Sequence, residues 1–243
     1  LALAQCFQKN KVAVEVFSKH FDAQLAEKVC SLYQGHQIKL SFMKGEDEFN
    51  QVLTDRRPAL LILDLEELPE YRPLADFLRG TKLNLACFDD FFSDTLKIDP
   101  LIQPFFAGPQ SNASNVLSGL KYFIFREDLV HALSNNPIQK KFPPKKILIT
   151  MGGSDPGNIS TSLLEWLCPQ NSSMEFSLVI GPGFSRKNRE HVYSVAKKYP
   201  NVCVYPPQEK MGDLYVQADF LIMSGGITKF EAALFGLPSL MIA

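Results

Sequence analysis

Two segments of the chain place a glycine pair between an aliphatic run and a helical pattern. The first reads ITMGGSDPGN and the second reads FLIMSGGITKFE. Glycine lets a ligand approach the backbone and allows positive φ angles, and a helix N-terminus offers free N–H groups to an anion. The pattern is typical of a phosphate site, although a tight turn that needs glycine for its own geometry is the alternative. The candidate ligand contacts are Gly152, Gly153, Ser154, Ser224, Gly225, Gly226 and Thr228.

Acidic residues stand close to these segments. Glu231 lies five residues after Gly226, one turn into the following helix, where its carboxylate can accept two hydrogen bonds from a diol such as ribose. Its alternative role is to stabilise the helix dipole. Asp155 follows the first glycine pair, where Asp155 or Asn158 can cap the next helix. Neither segment matches the P-loop pattern, so hydrolysis of nucleoside triphosphates is not indicated.

A third motif, CFDDFFSD, lies in the N-terminal half of the chain. It places Asp89 and Asp90 at the end of a predicted strand, beside aromatic residues. Paired carboxylates can bind sugar hydroxyls, orient a water molecule, or hold Mg²⁺ through bridging phosphate oxygens. The alternative is a turn with solvated carboxylates. Because the end of a strand should face the ligand, we expect a functional role.

Composition excludes several classes of protein. The 243 residues carry a net charge of −1, which gives no general attraction to nucleic acid or to an anionic membrane. No apolar run approaches the length that spans a bilayer. The five cysteines and four histidines show no spacing typical of zinc ligands. We therefore expect a cytoplasmic protein with reduced thiols, no metal, no cofactor, no nucleic-acid partner and no stable insertion in a membrane; the oligomeric state stays open.

Periodicity predicts alternating helices and strands. Helices are expected at 1–10, 22–33, 46–56, 69–79, 126–134, 158–167, 186–198, 209–217 and 227–235, and strands at 11–18, 37–43, 59–65, 83–88, 146–151, 174–180, 201–205, 219–224 and 238–242. The segment NNPIQKKFPPKK (135–146) is the best candidate for a linker. The prediction is an α/β fold of two Rossmann-like domains, 1–135 and 145–243, that face each other across a cleft, with ligands at the carboxyl ends of the strands.

Both ends of the sequence interrupt a pattern. The chain opens on an amphipathic helix without a preceding cap and closes on a buried-strand pattern, LPSLMIA. A parallel sheet rarely ends on a core strand without a covering helix. We therefore expect further residues beyond both termini.

The motifs ILITMGGSDPGN, LKYFIFRED and ADFLIMSGGITKFEAALFGLPSLMI resemble the UDP-sugar hydrolases of pseudaminic acid biosynthesis and their relatives in surface polysaccharide synthesis. More distantly, they resemble the C-terminal domain of the N-acetylglucosaminyltransferase that makes lipid II. The resemblance covers most of the chain and is strongest over 145–243. It implies the glycosyltransferase B-type architecture and a UDP-sugar substrate held mainly by the C-terminal half.

The resemblance also assigns roles to residues. Ser224, Gly225, Gly226 and Thr228 would bind the diphosphate, Glu231 the ribose, Gly152 and Gly153 the substrate, and the turn from Tyr205 to Met211 would flank uracil. The family's catalytic histidine would precede Leu1, and an Asn-Gln pair would follow Ala243. If the given chain is active by itself, Asp89, Asp90 and Asp155 are the candidate bases.

This sequence departs from the family in its N-terminal half. Asp64 is followed by Leu65-Glu66-Glu67 where a tyrosine is expected, and TLKIDPLIQPF replaces a basic or histidine-containing segment. Three functions stay open: a hydrolase that releases UDP, a glycosyltransferase that passes the sugar to an acceptor hydroxyl, and a non-catalytic nucleotide-sugar-binding protein. The apolar segment 91–106 is compatible with a transferase that acts on a lipid acceptor.

Overall fold

The computed structural model describes residues 2–19, 39–43, 45–64, 72–88, 96–104, 115–136, 141–208 and 210–242. The described residues form two compact units. One, the first unit, contains 3–19 and the described part of 39–124; the other, the second unit, contains Ala2 and the described residues from Phe125 onward. The boundary therefore lies ahead of the linker that the sequence predicts.

The first unit contains two parallel sheets. Strands β1 (Glu15–Lys19) and β2 (Lys39–Met43) pair with each other, and β3 (Leu61–Asp64), β4 (Leu85–Phe88), β5 (Leu101–Gln103) and β6 (Val116–Ser118) form a four-stranded sheet in that order. Helices α1 (Ala2–Lys9), α2 (Glu46–Arg56) and α3 (Arg72–Arg79) accompany them. Leu53, Leu74 and Leu78 pack with Cys87 in the core. Strands β5 and β6 are absent from the prediction because three residues are too few to show a period.

The second unit is a doubly wound sheet. Its strands are β7 (Lys146–Thr150), β8 (Glu175–Val179), β9 (Val202–Tyr205), β10 (Phe220–Ser224) and β11 (Ser239–Ile242), and its helices are α4 (Glu127–Asn135), α5 (Ile159–Leu167), α6 (Arg186–Ala196), α7 (Gly212–Gln217) and α8 (Thr228–Leu234). The strands are parallel in the order β11-β10-β7-β8-β9. This order matches five of the six strands of the Rossmann order, 3-2-1-4-5, in which the strand order reverses beside the first strand. Here the switch point lies between β7 and β10.

Two apolar clusters cover β7, which explains its continuous apolar sequence. Ile147 and Ile149 face a cluster that includes Leu164 and Val192, from α5 and α6. Leu148 faces the opposite cluster, with residues of α4, α7 and α8. The strand is buried from Ile147 to Thr150, so the loop that follows it is held by a rigid element.

Helix α4 belongs to the second unit, although the sequence analysis assigns it to the first domain. The Asp128 carboxylate accepts hydrogen bonds from the backbone N–H groups of Met211 and Gly212, at 2.8 and 3.3 Å. A Cβ at Gly212 would lie 2.5 Å from Cβ of Ala132. The two helices therefore pack with almost no side chain between them. Sequence periodicity detects α4 but not the partner on which it packs.

The segment before β7 is fixed by one buried acid. Asp219 accepts hydrogen bonds from the backbone N–H groups of Lys141, Lys145 and Lys146, at 3.2, 3.0 and 3.0 Å. Burial opposes ionisation of this carboxyl, but the backbone donors outweigh burial and hold its pKa below the ordinary value. The end of the predicted linker is thus an ordered part of the second unit.

Among the described residues, no helix has the length and apolar character needed to cross a membrane. The described helices α2 and α6 each contain 11 residues, well below the ~20 that a spanning helix needs.

Candidate functional site

The two glycine pairs lie side by side at the switch point of the second unit. Gly152 follows β7 and Ser224 ends β10, and these two strands are neighbours in the sheet. A Cβ at Gly152 would lie 3.2 Å from Oγ of Ser224. In open α/β sheets, ligands bind outside the carboxyl ends of the strands at such a point. The structure therefore brings together the two motifs that the sequence analysis singles out.

The backbone of both loops is open to a ligand. Gly152 and Gly226 have φ angles of 69° and 77°, which residues with a Cβ rarely adopt. A Cβ at Gly153 or Gly226 would meet no atom within 4 Å, and both residues are exposed, as is Ser154. Thr228 is partly exposed at the start of α8. These loops expose main-chain groups at the switch point.

The N-terminus of α5 is occupied by the protein's own carboxylate. Asp155 is 2% exposed, and its two oxygens accept hydrogen bonds from the N–H groups of Ile159 and Ser160, at 2.8 and 2.9 Å. The expectation that these helix N–H groups are free for an anion is therefore wrong, because an aspartate four residues upstream satisfies them. Asp155 has the capping role that the sequence analysis weighs for it.

Further contacts fix the turn before α5. The side-chain amide of Asn188 donates to the backbone oxygen of Asp155 at 2.9 Å, and Thr161 donates to Oδ1 of Asn158 at 2.8 Å. Asp155 and Asn158 both adopt positive φ angles, 44° and 51°. The turn is therefore held from α6 as well as from α5.

Glu231 lies in a network of polar side chains. Its Oε2 accepts a hydrogen bond of 2.7 Å from the Tyr215 hydroxyl, and its Oε1 lies 3.8 Å from Nε of Arg126. Arg126 also contacts Asp128, at 3.3 Å. The carboxylate of Glu231 is 14% exposed. The network connects α8 with α7 and with the segment before α4, which sequence spacing does not indicate.

The remaining predicted contacts lie further along the sheet. Tyr205 ends β9, which is separated from β7 by β8, and its pKa is raised chiefly by a hydrogen bond with Cys203. Met211 is 8% exposed and packs in the core under α4 and α7. The Met211 side chain is thus part of the core. The turn from Tyr205 to Met211 stays a candidate for contact with uracil. Asp89 and Asp90 lie outside the described residues.

A third glycine turn, absent from the predicted site residues, lies at this edge of the sheet. Gly181-Pro182-Gly183 follows β8, and the N–H of Gly183 donates to the oxygen of Gly153 at 2.8 Å. The available signal is the sequence VIGPGF, in which glycine again follows an aliphatic strand. This turn packs directly on the first glycine pair.

No protein-family model matches the chain. An uncharacterized protein of Methanocaldococcus jannaschii is 23% identical over 255 residues, which cover 100% of this chain and 51% of that protein. The spore coat polysaccharide biosynthesis protein SpsG of Bacillus subtilis is 25% identical over 130 residues, which cover 54% of this chain and 38% of that protein. The chain therefore spans about half the length of the first relative, and its match covers 38% of the second.

Solved structures show the same fold. A UDP-GlcNAc 2-epimerase from Neisseria meningitidis, bound to UDP-GlcNAc, matches 99% of this chain and 78% of its own with a TM-score of 0.54 and 16% identity. MurG from Acinetobacter baumannii matches 99% and 73%, with a TM-score of 0.59 and 14% identity. A glycosyltransferase from Rickettsia africae matches 99% and 73%, with a TM-score of 0.52 and 10% identity. These likenesses confirm the predicted α/β fold class with Rossmann-like units, the architecture of glycosyltransferases and epimerases.

Proposed function

We propose that this protein binds a UDP-sugar at the switch point of its second unit and hydrolyses it, with release of UDP. The substrate would be a UDP-linked deoxy-acetamido sugar in nonulosonic acid or surface polysaccharide biosynthesis. The observation that carries the proposal is the contact between the two glycine loops, in which a Cβ at Gly152 would lie 3.2 Å from Oγ of Ser224. Two loops with accessible backbone at one switch point are suited to a phosphorylated ligand.

The comparisons support a nucleotide-sugar ligand. The Neisseria epimerase, which shares the fold, was solved with UDP-GlcNAc bound. The Bacillus relative is named as a protein of polysaccharide biosynthesis. The pseudaminic acid assignment comes from the paired motifs GGSDP and SGG with a following glutamate, which resemble those hydrolases.

In the proposed reaction, water attacks the sugar as its bond to the diphosphate breaks. The departing UDP gains negative charge, which the amide groups of Ser224, Gly225 and Gly226 and the Thr228 hydroxyl stabilise as it develops. A general base takes the proton of the attacking water. Within the given chain, Asp89 and Asp90 are the proposed candidates, because both oxygens of Asp155 already accept backbone hydrogen bonds.

A glycosyltransferase is the second candidate, because the Rickettsia glycosyltransferase shares the fold. In that reaction an acceptor hydroxyl takes the place of water, and the binding of UDP is unchanged. The same fold supports both chemistries. The two candidates therefore differ in what enters the site beside the sugar.

One experiment separates the candidates. The full-length protein is incubated with UDP-sugars in the presence and absence of acceptors, and free UDP is measured. Release of UDP without acceptor identifies the hydrolase, and release only with acceptor identifies the transferase. Binding without any release would leave a nucleotide-sugar-binding protein.

Nucleotide preference is measured first, by calorimetry with UDP, ADP and GDP. The resemblance implies a uracil pocket, so UDP should bind best. Equal affinity for all three nucleotides would remove the UDP assignment, and absence of binding would remove the proposed function.

A further inference from the structure

The turn Gly181-Pro182-Gly183 packs against the backbone of Gly152 and Gly153. A Cβ at Gly181 would lie 2.2 Å from the oxygen of Gly152 and 2.4 Å from the oxygen of Gly153. No side chain fits there without movement of one of the two turns. Because the nearest atoms are both carbonyl oxygens, and Gly183 donates to one of them, the two carbonyl groups face the 181–183 turn.

The direction of these carbonyls determines the direction of two N–H groups. In a trans peptide, the C=O and the following N–H point to opposite sides, and both peptides here are trans. The N–H groups of Gly153 and Ser154 therefore point away from the 181–183 turn. Neither has an intramolecular acceptor among the residues that the structure describes, and both residues are exposed. Successive N–H groups with one orientation form a concave anion site.

The neighbouring helix cannot take this role. The first N–H groups of α5, those of Ile159 and Ser160, are satisfied by Asp155, and the N–H of Asn158 donates to the oxygen of Asp155. The N–H groups of Gly153 and Ser154, unlike those of Asn158, Ile159 and Ser160, are thus main-chain donors that this turn can offer to a ligand. A Cβ on Gly152, the residue that precedes them, would lie 3.2 Å from Oγ of Ser224 in β10.

We infer that Gly181 and Gly183 are positioning residues of the ligand site, and that they direct the N–H groups of Gly153 and Ser154 toward an anionic group of the ligand. This inference rests on the proposed function, in which the anionic group is a phosphate of the UDP-sugar. Glycine is required at 181 because the carbonyls that set the direction of the amides occupy the volume of a Cβ. We assign no ligand contact to the 181–183 turn itself.

The test compares UDP with uridine, which lacks the anionic group. Gly183→Ala is the main variant, since its Cβ would lie 3.1 Å from the oxygen of Gly153 and requires a small displacement. Gly181→Ala requires a larger one. Gly157→Ala is the control, because its Cβ would meet only the side chain of Ile159, at 3.3 Å. Circular dichroism and thermal unfolding identify variants that do not fold.

We expect Gly183→Ala to weaken the binding of UDP and to leave the binding of uridine unchanged. Gly181→Ala, if it folds, should weaken UDP binding about tenfold or more, because a charge-assisted hydrogen bond is lost. In ¹⁵N NMR spectra of the unsubstituted protein, UDP should shift the amide resonances of Gly153 and Ser154, and uridine should not. Gly157→Ala should match the unsubstituted protein.

Two outcomes would overturn the inference while the proposed function stands. In the first, UDP binds but the resonances of Gly153 and Ser154 do not move. In the second, Gly183→Ala leaves the ratio of UDP to uridine affinity unchanged. A protein that binds no UDP at all would instead remove the proposed function, and the inference with it.

Discussion

The hydroxyl of Tyr215 donates a hydrogen bond of 2.7 Å to Oε2 of Glu231. Tyr215 is 1% exposed, and its ring stacks on Phe235. Burial, reinforced by the negative charge of Glu231, raises the pKa of Tyr215 above its ordinary value, so the phenol stays protonated and continues to donate at neutral pH. The acid proposed to bind ribose is therefore also part of the fold, and a single substitution cannot separate its two roles.

A pair of substitutions can separate them. Glu231→Ala removes the acceptor of a buried hydroxyl, and should lower the free energy of unfolding by about 1–3 kcal/mol. Tyr215→Phe removes the same hydrogen bond but keeps the carboxylate, so UDP affinity should change little. Introduced into Tyr215→Phe, Glu231→Ala should still weaken UDP binding about tenfold or more. Denaturant titration and calorimetry give both quantities, and unchanged affinity of the double variant would remove the ribose role.

The second glycine loop can be blocked at a position where a Cβ fits without a clash. Gly225→Val places a branched side chain in front of the backbone amides, and the nearest atom to its Cβ would be Sδ of Met241 at 3.6 Å, an ordinary contact. We expect loss of UDP affinity with an unchanged circular dichroism spectrum. Gly45→Val is the matched control, since its Cβ would meet nothing within 4 Å and its backbone is extended. Equal affinity of the two variants would exclude Ser224–Gly226 as the phosphate loop.

The close packing of α4 on α7 predicts a large effect at Gly212. Gly212→Ala would place a Cβ 2.5 Å from Cβ of Ala132 and 2.7 Å from the oxygen of Asp128. Such overpacking costs about 1–3 kcal/mol, which guanidinium unfolding would measure. Gly80→Ala, whose Cβ would lie 3.4 Å from the oxygen of Phe77, is the control. If both variants unfold at the same denaturant concentration, the helices are not in the contact described.

Asp219 makes stability depend on pH. Its folded-state pKa lies below the ordinary value of 3.8, so its contribution is complete above the pKa of the unfolded chain and is lost as pH falls through the folded-state pKa. Melting temperature should therefore fall more steeply with acid in the unsubstituted protein than in Asp219→Asn. At pH 7 the variant should be the less stable of the two, because a charged acceptor of three backbone donors has been replaced. If the melting temperatures of the two proteins change with pH in parallel, Asp219 does not have this role.

Much of the fold follows from local pattern. Helix α2 has the bounds that the sequence predicts, 46–56, because its apolar residues recur with a helical period. The strands of the second unit lie within one or two residues of their predicted positions, since long aliphatic runs between glycine and proline leave few alternatives. The placement of α4 could not be predicted, because contacts with Met211 and Gly212 join residues more than 80 positions apart.

The candidate site, like the fold, could be predicted from the sequence only in part. Glycines after Ile149 and Met223 indicate ligand-binding loops because both follow aliphatic strands. The occupation of the α5 N-terminus by Asp155 depends on the direction of a side chain, and the partnership of Glu231 with Tyr215 depends on the meeting of two helices. The sequence offers both Asp155 and Asn158 as caps and does not decide between them, and it gives no sign of the contact between Glu231 and Tyr215. Motif spacing thus locates the loops but does not show which of their groups are free.

The capping of α7 by Asp128 also bears on how this domain can be exchanged between proteins. A recombination crossover in the lysine- and proline-rich segment 135–146 would produce a chimera with α4 from one parent protein and α7 from the other. The pairing of Asp128 with the amides of Met211 and Gly212 would then depend on two unrelated parents. A crossover between Ile124 and Phe125, where the two compact units divide, keeps both partners together. A transferred segment that begins at Phe125 therefore carries the cap of α7 together with α7 itself.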